Sequence, residues 1–250
     1  MKRLKIGLLI HRARKLIAVL RNRTFRVVLF RHGVAAATEH CQCLAALDCS
    51  LVIDIGANRG QFSLVARWLF PGARIISFEP LPHPASIYEA IFAADKSAIL
   101  HRFAIGPERG GTSFHVSGRD DSSSLLPIAP RQNELFPGTH EVHTITVQVA
   151  PLSMFLTPSE ISRNALLKLD VQGFELQALM ACADLLPKFK YIYAECSFVE
   201  LYTDQALASS VIRWLDERGF LFVGIQNISY DSAGHSVQAD FLFRNRFLSV

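Results

Sequence analysis

Apolar positions along the chain come in short unbroken runs that alternate with stretches at helical spacing. Leu51-Val-Ile-Asp-Ile55 is nearly continuous, as expected for a strand buried on both faces. Phe62, Val65, Ala66 and Leu69 then follow a helical period over 61–70, closed by Pro71-Gly72. Arg74–Phe78 reads as a second strand, 84–93 as a helix and Ala98–Ala104 as a third strand. Leu166–Asp170 is a fourth strand, followed by a helix with Leu176, Leu179, Met180 and Ala183 on one face. Tyr191–Glu195 is a fifth, and a helix over 204–218 presents Leu207, Val211, Ile212 and Leu215 before stopping at Gly219. Phe220–Ile225 and Val237–Phe243 close the pattern as an antiparallel pair turning through Ser232-Ala-Gly234. Alternating strands and helices imply right-handed crossovers and a doubly wound, mainly parallel α/β sheet with helices on both faces. Residues 106–164 break the rhythm with turn signals, a Ser triplet and alternating stretches at 112–117 and 142–149. They predict a β-rich insertion covering the ligand-binding edge of the sheet.

Composition narrows the class. Half of the 250 residues are hydrophobic and 19% are charged, which excludes a disordered chain. No stretch approaches the roughly 18 uninterrupted apolar residues of a spanning helix. The net charge of +4 is unevenly distributed: residues 1–31 hold ten Lys and Arg and no acid, which leaves the remainder at −6. The expected organisation is a basic helical segment over 1–48 and one α/β domain over 49–250. The basic, apolar N-terminus suits peripheral contact of residues 1–31 with an anionic membrane; a solvated amphipathic helix is the alternative. Arg12, Arg14 and Lys15 interrupt any secretory h-region, so the expected location is cytoplasmic, at the inner membrane face if the segment docks there. Five cysteines without an export signal read as free thiols, and His40-Cys41-Gln42-Cys43 lacks the second ligand pair of a structural zinc site. No metal site is expected, with Asp170, Glu175 and Glu195 as the alternative, a set of carboxylates for a divalent ion.

The chemistry concentrates at strand ends. The first strand runs into Asp54-Ile-Gly56-Ala-Asn-Arg-Gly60, a glycine-rich turn at the place where doubly wound sheets bind ligands. Its spacing is neither G-x-G-x-x-G nor a triphosphate-binding loop. The second strand ends in Phe78-Glu79-Pro80, and an acid there typically accepts both hydroxyls of a ribose. A nucleoside ligand without a pyrophosphate follows.

These segments, together with Ala104-Ile-Gly106, Ser122-Ser-Ser-Leu125 and Leu167-Lys-Leu-Asp-Val-Gln-Gly-Phe-Glu175, resemble the FkbM-type S-adenosylmethionine-dependent methyltransferases over about residues 45–245. The resemblance implies a class I, seven-stranded Rossmann-like fold, S-adenosylmethionine as cofactor, and O-methylation of a sugar, glycan or related metabolite. It assigns Asp54 and the turn with Gly56, Ala57, Asn58 and Gly60, together with Gln61, to the methionine end of the donor, Glu79 to the ribose, and Phe62, Ser63 and Pro80 to the donor site at large. It places Ala104 and Ile105 at the adenine, with Ser123 or Ser124 nearby. Many relatives carry Glu where this chain has Gln172.

An alcohol acceptor must also lose a proton, a task for a carboxylate or imidazole within hydrogen-bond reach. Asp170 and Glu195 end adjacent strands and are the catalytic candidates; an ion pair of Glu195 with Lys168 or Lys190 is the alternative. His115, His140 and His143 in the insertion are rival bases. The expected partners are a small-molecule, glycan or lipid-linked saccharide acceptor. Nucleic acid is disfavoured, because Asp170-Val-Gln-Gly replaces the Pro-Pro-aromatic element of amino-group methylation.

Overall fold

In a computed structural model describing residues 15–248, seven strands form the central sheet in the order β3-β2-β1-β7-β8-β10-β9. The strands are β1 (Leu51–Ile55), β2 (Arg74–Phe78), β3 (Ala98–His101), β7 (Ala165–Leu169), β8 (Tyr191–Ser197), β9 (Phe220–Tyr230) and β10 (Ser236–Asn245). All neighbouring pairs are parallel except those of β10, which runs antiparallel to both β8 and β9. β1 and β7 are buried at every position, which is why they read as apolar runs broken only by Asp54 and Lys168.

A second, three-stranded sheet stands at one edge in the order β4-β6-β5, from β4 (Ala104–Ile105), β5 (Gly110–Ser117) and β6 (Glu141–Ala150). The expected third strand over 98–104 is therefore two strands in two sheets. It breaks after His101 so that Ala104 and Ile105 can pair with Val149 and Ala150 of the insertion. The helix expected over 204–218 spans Ala208–Asp216, because Gln205 Oε1 accepts the Leu201 and Tyr202 N–H groups and holds the preceding residues in a turn. The closing hairpin strands run longer than their apolar runs, as β9 occupies the sheet edge and exposes Phe222 and Val223.

Helices Gln61–Leu69 and Pro82–Phe92 cover one face of the sheet. The N-terminal segment packs there too. Asn22 caps helix Arg23–His32, and its Phe25 and Val28 join Val52, Val65 and Tyr193 in one core. The opposite face holds helices Glu175–Met180 and Ala208–Asp216.

Candidate active site

The C-terminal ends of β1, β2 and β7 converge on a cleft of about 250 Å³. Gly56 opens the first turn with φ 77°, and a Cβ there would collide with the Asp170 carbonyl oxygen, so only glycine lets β1 and β7 close together. The Gly56 and Ala57 N–H groups both donate to the Phe78 carbonyl at 3.0 Å, tying the turn to the end of β2.

Glu79 sits in that junction, 5% exposed. Its Oε2 accepts the Asn58 N–H and its Oε1 the Leu81 N–H, each at 2.8 Å. Each oxygen has capacity for a further hydrogen bond, and the residue lines the cleft. Burial pushes this carboxyl up to about 7 against the lowering effect of those two amides. Gly56, Ala57, Asn58, Gln61, Phe62, Pro80, Ala104, Ile105, Ser123 and Asp170 also line the cleft.

Five expected residues stand behind the wall. Asp54 is wholly buried, held by the Ser63 hydroxyl at 2.7 Å and Lys168 Nζ at 3.0 Å, so both Asp54 and Ser63 brace the turn from below. Gly60 packs on the rings of Tyr88 and Phe92. Ser124 donates to the Gln172 carbonyl. Glu195 lies inside β8 instead of ending it, and is no candidate for contact with an acceptor: both its oxygens accept side-chain amides, from Gln172 at 2.9 Å and Gln238 at 2.9 Å. Nor does it pair with a lysine, because Lys168 goes to Asp54. Burial and the neighbouring Asp170, Asp240 and Glu175 drive the Glu195 carboxyl well above the usual range. Gln172 is the mediator, donating also to Asp170 Oδ1 at 2.7 Å. A glutamate at 172 would turn this pair of amide donations into three adjoining carboxyl groups, which explains the amide here.

Asp170 follows β7 directly, 40% exposed at its side chain and 3.6 Å from Lys168 Nζ. Burial disfavours the Lys168 ammonium, but Asp54 and Asp170 outweigh it and hold the pKa above its ordinary value. Among the described residues no group of three or more His, Cys, Asp or Glu is arranged to hold a metal ion.

Sequence reading missed one wall entirely. Lys15, Glu39 and His40 reach the cleft from the N-terminal segment, with Lys15 Nζ 2.7 Å from Glu39 Oε1. Phe103, Phe114 and Leu125 add apolar surface opposite, and Asp120, paired with Arg59, and Asp121 close the rim. The missed apolar residues lie in the insertion or beside it, where no period marks which side chains turn inward.

The strand order, with a reversed strand inserted between the last two positions of an otherwise parallel sheet, and the cleft above β1 and β2 define a class I methyltransferase fold. Residues 54–222 match the Methyltransferase FkbM domain, and the chain belongs to that family of S-adenosylmethionine-dependent methyltransferases. It is 26% identical over 188 residues to a 2-O-methyltransferase, NoeI, of Sinorhizobium fredii, covering 70% of this chain and 77% of that one. It is 28% identical over 207 residues to 31-O-demethyl-FK506 methyltransferase FkbM of Streptomyces tacrolimicus, covering 71% and 75%. Methyltransferase 1 of Beauveria bassiana is 27% identical over 149 residues, 55% of this chain and 60% of that protein.

The cleft fits the donor chemically. A buried carboxylate faces it with acceptor capacity to spare, apolar side chains form a slot beside it, and Gln61 Oε1 is buried without a hydrogen-bond partner. These supply acceptors for a ribose diol and an ammonium, and a surface for a purine.

Proposed function

We propose that this chain methylates a hydroxyl of a sugar, glycan or lipid-linked saccharide, with S-adenosylmethionine as donor. The observation that carries the donor half is Glu79, fixed by two backbone amides at the end of β2 with its carboxylate facing the cleft. In this reading Glu79 and Pro80 hold the ribose, and Phe103, Ala104 and Ile105 the adenine. Asn58 and Gln61 hold the methionine end. The bound donor supplies a methyl carbon activated by a positive sulfur; the protein contributes alignment and water exclusion. Asp170, at the cleft mouth beside Lys168, positions the acceptor. Oxygen as the acceptor atom is supported by the two relatives whose names specify an O-methyl site. The cleft lining carries five carboxyl groups, Glu39, Glu79, Asp120, Asp121 and Asp170, against the two ammonium groups of Lys15 and Lys168, an excess that argues against a phosphate backbone as acceptor.

We infer in addition a peripheral membrane contact, at the cytoplasmic face. Val27 and Phe30 are 49% and 77% exposed one turn apart on helix Arg23–His32, among exposed Arg23, Arg26 and Arg31. Residues 1–14 of the expected docking segment lie outside the described residues. Among those described, no helix is long and apolar enough to cross a membrane.

Methyl-labelled donor incubated with free sugars, lipid-linked glycans, hydroxylated metabolites and RNA tests the acceptor class. Label recovered as a sugar methyl ether supports it; label found only in RNA, or in none of the four, contradicts it.

A further inference from the structure

We propose that His40 is the general base that takes the acceptor's proton, oriented by Tyr193 and Asp240. His40 lies outside the stretch that matches the family, and it is the imidazole that lines the cleft among the described residues. Its ring packs edge-on against Phe62 at 5.4 Å and Tyr193 at 5.5 Å between centroids, and the Phe62 ring in turn lies 5.3 Å from Lys168 Nζ. That puts His40 on the same wall as Lys168 and Asp170.

All of its polar contacts fall on one nitrogen. Nδ1 is 3.0 Å from the Tyr193 hydroxyl oxygen, 3.2 Å from Asn227 Nδ2 and 3.4 Å from Asp240 Oδ2. The Asn227 amide nitrogen only donates and is spent on Asp240, so the Nδ1 proton goes to the Tyr193 oxygen or to Asp240 Oδ2, and Nε2 is left bare as an acceptor. The cluster is built from three strands. Tyr193 comes from β8, and Asp240 from β10, where it is clamped by the Asn227 amide at 2.7 Å. Asn227 adopts φ 50° in β9, where the β9–β10 register shifts between Gln238 and Asp240. An irregular strand and a non-glycine residue at positive φ are features that concentrate where a side chain is re-aimed for function. The carboxylates are less suited: Asp170 is engaged by Lys168 and Gln172, and Glu195 does not line the cleft.

The step balances. The acceptor oxygen forms its bond to the methyl carbon as its O–H proton passes to His40 Nε2. The electron pair of the breaking carbon–sulfur bond stays on sulfur, which becomes a neutral thioether, and imidazolium charge is met by Asp240. The inference rests on the methyl-transfer reading, which fails separately if the wild-type chain does not bind S-adenosylhomocysteine.

Long-range proton–nitrogen NMR on the full chain with S-adenosylhomocysteine reads the tautomer directly. Neutral His40 is expected with its proton on Nδ1, redistributed toward Nε2 by Tyr193→Phe or Asp240→Asn; a wild-type proton on Nε2 overturns the proposal. His40→Gln is expected to lower turnover at saturating donor about a hundredfold or more while S-adenosylhomocysteine affinity stays within about threefold. Added imidazole is expected to restore part of the activity of His40→Ala. Turnover of His40→Gln within about threefold of wild type would equally overturn it.

Discussion

Lys168 Nζ and Asp54 Oδ1 lie 3.0 Å apart with side-chain exposures of 6% and 0%, on directly paired positions of β7 and β1. The same ammonium donates to the Gly56 carbonyl at 3.0 Å. One buried cation thereby pins the strand, the glycine turn and, through Asp170, the cleft mouth. Removing one partner of a buried pair strands the other charge. Lys168→Met should cost about 3–5 kcal/mol of stability, and the double variant Asp54→Asn/Lys168→Met should recover part of it. Urea denaturation of the three chains measures both.

Glu175 gives a pH dependence with a definite sign. It is buried, accepts the Val171 and Gly173 N–H groups on Oε1, and burial pushes its carboxyl up to about 7. A raised acid is neutral by preference in the folded chain. Its contribution is complete below the unfolded value near 4.5 and lost as pH rises through about 7. Glu175→Gln keeps the acceptor and removes the ionisation. It should match wild type in thermal melting at pH 4.5 and exceed it at pH 8, by up to about 3 kcal/mol.

Much of this architecture was legible because period and burial coincide. β1 and β7 are buried at every position and read as apolar runs, and Gly56 and Glu79 mark the ends of β1 and β2 by residue type alone. The break at His101 was hidden because only His101 and Arg102 separate the apolar runs Ala98–Leu100 and Phe103–Ile105, while Ala104 and Ile105 answer to a partner strand more than forty residues away. Asp54 looked like a ligand-facing residue because its lysine partner is 114 positions distant, and contact across a parallel pair leaves no local trace. Glu195 was expected at a strand end because the apolar run stops there, yet β8 continues to Ser197 under Gln172 and Gln238. His40 escaped for a related reason: its partners Tyr193, Asn227 and Asp240 meet only when β8, β9 and β10 are aligned.

The membrane contact is tested without truncation. Deleting the segment would uncover the core that Val19, Phe25 and Val28 fill. Val27→Ser/Phe30→Ser instead alters only exposed positions and should leave the melting temperature within about 2 °C. Its pelleting with phosphatidylglycerol vesicles should fall severalfold, with little pelleting of either chain on pure phosphatidylcholine. Equal pelleting of both chains on the anionic vesicles would remove the membrane role.

The central claim is that the cleft above β1 and β2 binds the methyl donor through Glu79. Titration calorimetry of S-adenosylhomocysteine into the full chain and into Glu79→Gln, at pH 6 and pH 8, tests it directly. Hydrogen bonds from ribose hydroxyls to a carboxylate are worth about 1.5–3 kcal/mol, so the variant should bind about tenfold to a hundredfold more weakly at pH 8. A carboxyl raised to about 7 is mostly protonated at pH 6 and mostly ionised at pH 8. Wild-type affinity should therefore rise about tenfold across that interval, while the variant stays flat. Equal affinities of the two chains at pH 8, or no binding by the wild type at either pH, would contradict the assignment.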